Sequence, residues 1–114
     1  MHPAAEDITV EGILHALSDP VRAYIFAEIV RAGCSQPCSA FLAVSDRAVP
    51  KSTLSQHFKI LREAGLVRSE RKGVEVRNTP RHDDLQERFG PLIQAILESY
   101  CAQSAGKRDA TTAV

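Results

Sequence analysis

The densest run of side chains able to make directed contacts lies in PKSTLSQHFKILREAGLV, residues 50–67. Ser52, Thr53 and Ser55 bring hydroxyls, Gln56 an amide, His57 an imidazole, and Lys51 and Lys59 ammonium groups, with Glu63 the sole acid of the stretch. At 100° per residue, Leu54, Phe58 and Leu61 fall within about 60° of arc, while Ser52, Ser55, Gln56, Lys59 and Glu63 gather opposite. Such a helix buries one face and presents hydroxyls, an amide and cations on the other. Those groups suit the base edges and phosphates of a duplex, because an α-helix fits the major groove of B-DNA and each base pair there shows its own donor and acceptor pattern.

A second basic cluster follows at once. LVRSERKGVEVRNTP alternates in two short runs around Arg71-Lys72-Gly73, the pattern of a β-hairpin with a basic tip, and Arg68 and Arg77 lie on its flanks. The zero net charge hides this asymmetry. Residues 1–50 balance to −3, residues 51–81 to +5 and residues 82–114 to −2. A basic centre between acidic flanks is a local footprint for a polyanion.

The helix and hairpin need a body to hold them. At 114 residues, 44% hydrophobic and 25% charged, the chain has the size and composition of one globular domain. A first helix is expected over residues 8–17, with Ile13, Leu14 and Leu17 facing inward. Ser18-Asp19-Pro20 starts a second, PVRAYIFAEIVRA, with Asp19 as cap and Pro20 in the first turn, ending at Gly33. A short helix over residues 37–44 and a turn through Ser45-Asp46-Arg47 come next. Gly65 ends the polar-faced helix, with Leu66 packing back on Leu61. Thr79-Pro80 opens another helix, Gly90-Pro91 breaks it, and a last one carries Leu92, Ile93, Ile96, Leu97 and Tyr100 to Gln103. Residues 1–103 then form the domain, and the small, polar residues 104–114 a disordered tail.

ALSDPVRAYIFAEIV, followed by KSTLSQHFKILREAGLV and a basic hairpin, resembles the ArsR/SmtB family of winged helix-turn-helix transcriptional regulators. The resemblance covers residues 13–77. It implies a mainly α fold with a small β-hairpin in the order α-α-α-α-β-β-α-α. It further implies a cytoplasmic, homodimeric repressor that leaves a palindromic operator when an effector binds. Positions corresponding to the family's DNA-reading helix are Lys51, Ser52, Thr53, Ser55, Gln56, His57 and Lys59, with Arg71, Lys72 and Arg77 on the wing. His57 also fits a hydrogen-bonded shoulder of the core. The dimer surface falls to Ile13, Leu14, Leu17, Leu92, Ile93, Ile96 and Tyr100, in terminal helices that offer more apolar surface than a small core absorbs.

The effector is less constrained. The family's Cys-x-Cys element is absent, and His82 has no second histidine in the last helix to complete an interfacial metal pair. Cys34, Cys38 and Cys101 remain; they could hold a metalloid or soft metal ion, or form a regulatory disulfide. A thiol-based sensor repressor and a winged-helix protein-interaction module are the alternatives. No glycine-rich phosphate loop, metal-ligand pair or nucleophile with an adjacent base argues for an enzyme. The N-terminus lacks the pattern of a signal peptide, and no run is apolar enough to span a membrane.

Overall fold

The computed structural model describes residues 2–32, 36–37 and 50–112, with side chains for 2–31 and 50–103. The expected stop at Gly33, all but the first residue of the expected helix over 37–44, the turn at 45–47, and Cys34 and Cys38 lie outside the described residues. A 3-10 turn at Ala5–Asp7 leads into α1 (Val10–Leu17), α2 (Pro20–Ala32), β1 (Gln36–Pro37), α3 (Lys51–Glu63), β2 (Val67–Lys72), β3 (Glu75–Pro80) and α4 (His82–Thr112). The mainly α architecture with a hairpin is therefore as the sequence predicts.

Local chemistry sets most of the boundaries. The first helix begins two residues later than expected because Thr9 caps it, its hydroxyl accepting from the Gly12 N–H at 3.1 Å. Ile8, just before the cap, and Ile13, four into the helix, are both buried, as in a hydrophobic staple. Asp19 caps α2 as predicted, its Oδ1 accepting from Val21 N at 2.8 Å and Arg22 N at 3.3 Å. At the end of α3, Gly65 N donates to Arg62 O at 3.0 Å and Leu66 N to Leu61 O at 3.1 Å. This is the Schellman pattern, with Gly65 at φ +85° and Leu61 and Leu66 both buried beneath it.

The sheet corrects three expectations. Its order is β1-β3-β2, and Pro37 pairs with Arg77 instead of opening a helix. Proline is tolerated there because β1 is an edge strand. Thr79 and Pro80 pair with Arg68 and Val67, so they end β3 rather than start a helix, and Arg81 becomes the residue whose carbonyl receives the first helical bonds of α4. At the tip, Lys72 pairs with Glu75, which leaves the two-residue turn Gly73-Val74. Gly73 at φ +66° supplies the left-handed conformation that tight hairpin turns need.

The expected break at Gly90-Pro91 is absent. Pro91 lies inside one continuous helix that passes Gln103 and ends at Thr112. Proline in a helix interior costs roughly 3 kcal/mol through a lost hydrogen bond and a ring clash. Here the preceding residue has no Cβ for the ring to strike, and buried Leu85, Phe89 and Ile93 anchor both sides of the proline to the core. Tertiary packing thus overrides the local signal.

An N-terminal strap completes the body. Arg81 Nη1 donates to Pro3 O at 2.8 Å, and Arg88 donates to Ala5 O at 3.0 Å and Ile8 O at 3.2 Å. The Ser69 N–H donates to His2 Nε2 at 2.9 Å. Burial first, then the N-terminus and Arg68, Arg81 and Arg62, holds the His2 pKa below its ordinary value, which keeps Nε2 an acceptor.

Candidate nucleic-acid interface

The two faces of α3 separate as its periodicity demands. Leu54, Phe58 and Leu61 are 2%, 1% and 0% exposed, whereas Lys51, Ser52, Thr53, Ser55, Gln56 and Lys59 lie open to solvent. Pro50 precedes the helix and offers no side-chain cap, and the first turn contains no acid. Its leading N–H groups have no cap from the Pro50 side chain and lie beside Lys51, a setting that favours anions.

His57 is placed differently from its neighbours. It sits at the edge of the apolar arc, half-buried, with Nδ1 3.5 Å from Nη1 of Arg22 on α2. Arg22 is itself buried. Its Nε donates to Ala16 O at 2.7 Å, its Nη2 to His15 O at 3.2 Å, and Asp19 lies 3.8 Å away. Ser18 Oγ also donates to His15 O, at 2.7 Å, and the Tyr100 hydroxyl to Leu17 O, at 2.6 Å. The Ser-Asp-Pro-x-Arg block thus closes α1 with Ser18 and Arg22 while opening α2 with Asp19 and Pro20. Burial, reinforced by Arg22 and opposed by Asp19, lowers the His57 pKa.

On the wing, Arg71 and Lys72 are exposed and form no ion pair among the described residues, and the same holds for the exposed Lys51 and Lys59. Arg77 is engaged, donating to Glu75 Oε2 at 3.0 Å. Arg68 lies 4.0 Å from Asp84, and Arg81 places Nε and Nη2 each 2.9 Å from Asp84 Oδ2. The basic segment divides accordingly: Arg71, Lys72, Lys51 and Lys59 face outward, whereas Arg81 is internal. Beneath the wing, Ser69 Oγ donates to Oδ1 of the fully buried Asn78 across the two strands.

The residues assigned to a dimer surface also divide. Ile13, Leu17 and Ile93 are buried within the chain's own core. Leu14 is 47% exposed, and Leu92, Ile96 and Tyr100 are half-buried at the core's margin. Cys101 is exposed and lines a groove of about 560 Å³ between α2 and α4, with Phe26, Val30, Leu85, Ile93 and Leu97 among its walls. Among the described residues, no three of His, Cys, Asp and Glu converge as metal ligands.

Sequence reasoning missed the contributions of Arg22, Arg81, Arg88 and His2. Arg22 could have been found, since an arginine three residues after a capping Asp-Pro reaches back over the preceding helix end. The strap contacts carry no periodic signal.

No curated protein matches the chain by sequence. A family model described as a helix-turn-helix domain matches residues 17–70. The fold is similar to that of an ArsR-like transcriptional regulator from Rhodococcus sp. RHA1, with TM-score 0.57 and 25% identity over 89% of this chain and 87% of that one. It is also similar to a second ArsR family transcriptional regulator of known crystal structure, with TM-score 0.57 and 17% identity over 96% of this chain and 97% of that one. Among the described residues no helix is long and apolar enough to cross a membrane. An acid-poor helix face beside a basic hairpin, the family match over residues 17–70 and the likeness in fold together show a helix-turn-helix chain whose winged fold is similar to that of ArsR-like transcriptional regulators.

Proposed function

We propose that the chain acts in the cytoplasm as a homodimeric repressor, each subunit seating α3 in one of two successive major grooves of a palindromic operator. Ser52, Ser55 and Gln56 read base edges, Lys51, Thr53 and Lys59 hold phosphates, and the wing cations Arg71 and Lys72 grip the flanking backbone. Residues 1–103 serve as one DNA-binding and dimerisation domain. The observation that carries this reading is the exposure of α3's hydroxyls, amide and lysines over a fully buried Leu54-Phe58-Leu61 seam.

Support for pairing comes from α1, which is apolar on two sides. Ile13, Ala16 and Leu17 pack inward, whereas Val10 and Leu14, one turn apart, are 46% and 47% exposed. A second copy would cover them, together with the outer margins of Leu92, Ile96 and Tyr100. Effector release through a thiol is favoured by one observation, the exposure of Cys101 in the α2–α4 groove.

Selection of tight-binding duplexes from a random-sequence library tests the reading. The expected product is an inverted repeat with half-sites about 10–10.5 base pairs apart, bound by two chains in sedimentation equilibrium. A stable monomer at micromolar concentration, or no sequence enrichment, would contradict it. Lys72→Ala is expected to weaken selected and scrambled duplexes alike and to reduce the salt slope of binding by about one.

A further inference from the structure

We propose that Arg22 and His57 form a pH-sensitive seat that fixes the rotation of α3, so that sequence-specific reading requires a neutral His57 imidazole. The inference rests on the DNA-reading role of α3 and adds a positioning pair that touches no base.

The geometry supplies the reason. Arg22 cannot retreat from α3, because its Nε and Nη2 are held by the carbonyls of Ala16 and His15 at 2.7 and 3.2 Å. Its remaining nitrogen, Nη1, faces Nδ1 of His57 at 3.5 Å, a long contact that needs an unprotonated acceptor. The charged groups acting on the imidazole among the described residues are Asp19, which caps α2, and Arg22 in its first turn. Toward this cluster α1 presents the backbone carbonyls of His15 and Ala16. No charged group of α3 contributes. Protonation therefore removes the acceptor and sets a second cation beside a tethered guanidinium; burial is the main cost, and Asp19, which attracts the imidazolium more than Arg22 repels it, does not cancel that cost. Swinging the imidazolium outward turns the edge of the helix. A rotation of 10° displaces a group at the helix surface by about 1 Å, beyond the roughly 0.5 Å within which a binding constellation must be held. Gln56 and Ser55 adjoin His57 in the chain and move with it.

The sign follows from the direction of the shift. With its folded-state pKa below the ordinary value of about 6.5, His57 takes up a proton less readily in the seated helix than in a released one. Seating is complete above that value and is lost as pH falls below it.

The test measures affinity from pH 8 to pH 5.5 for a duplex selected at pH 7.5 and for a scrambled duplex of equal length. Phosphate attraction acts on both duplexes and largely cancels in their ratio. The selected-to-scrambled ratio is expected to be flat above about pH 7 and to fall below it, by at most about tenfold at pH 5.5, the ceiling set by a released-state pKa of about 6.5. In His57→Gln, whose amide stays neutral and keeps an acceptor oxygen, the ratio is expected to stay flat. An unchanging wild-type ratio, or a variant that follows the wild-type curve, would overturn the seat. Should the variant fail to melt cooperatively, NMR of the wild type decides. Amide shifts of Ser55 and Gln56 that track the His57 titration support the seat, and shifts indifferent to it refute it. Failure to select any duplex at pH 7.5 would instead sink the DNA-reading role itself.

Discussion

Gly65→Ala is expected to destabilise the fold by about 2–4 kcal/mol, a large share of the 5–15 kcal/mol typical of a domain. Two causes add. At φ +85° an alanine enters the left-handed region, at about 1–2 kcal/mol. Its Cβ would also press on the buried side chain of Ile8, lying 2.7 Å from Cδ1 and closer still to Cγ1. Overpacking of that kind typically adds about 1–3 kcal/mol. Gly73→Ala separates the two, because Gly73 has φ +66° but nothing within 4 Å of the added methyl. It should show the backbone cost alone. Urea unfolding of both variants checks this, and equal losses would mean that Ile8 yields freely. The consequence extends beyond stability, since Gly65 joins α3 to the wing and Ile8 ties that joint to the strap.

Gln56→Ala is expected to lower affinity for a selected duplex by about 5- to 150-fold, the range of about 1–3 kcal/mol for one well-placed base contact. Affinity for a scrambled duplex should hardly change, because the substitution removes no charge. Ser55→Ala should act in the same direction with a smaller effect, as a hydroxyl makes a less discriminating contact than a bidentate amide. Both residues are exposed, so folding should be intact and the loss attributable to recognition. Lys59→Ala offers the contrast, weakening both duplexes together. Competition binding with the two duplexes at one fixed salt concentration distinguishes these outcomes. An unchanged affinity in Gln56→Ala would place the reading face elsewhere.

The readable parts of the sequence were those governed by local rules. The seam of Leu54, Phe58 and Leu61, the Asp19-Pro20 start and the Gly65 stop each follow from side-chain periodicity or capping chemistry, and each is found where the residues place it. Proline signals misled where long-range pairing decided the outcome. Pro37 and Pro80 were drawn into strands by β3 and β2, and Pro91 was held in α4 by core residues on both sides. Within the candidate interface, exposure followed the helical period, but the partners of the cations did not. Asp84 engages Arg68 on the hairpin and Arg81 donates to Pro3 O in the strap, contacts that only the fold defines, whereas Glu75–Arg77 and Arg81–Asp84 are local pairs. The inward placement of His57 likewise depends on Arg22, thirty-five positions earlier in the chain.

The most direct measurement maps backbone amide shifts of the isotope-labelled protein as a selected duplex is added. The largest changes are expected at Lys51, Ser52, Ser55, Gln56 and Lys59, with a second group at Arg71 and Lys72 on the hairpin. Shifts concentrated on the outer face of α4, with the exposed side of α3 unmoved, would contradict the DNA-reading role of α3.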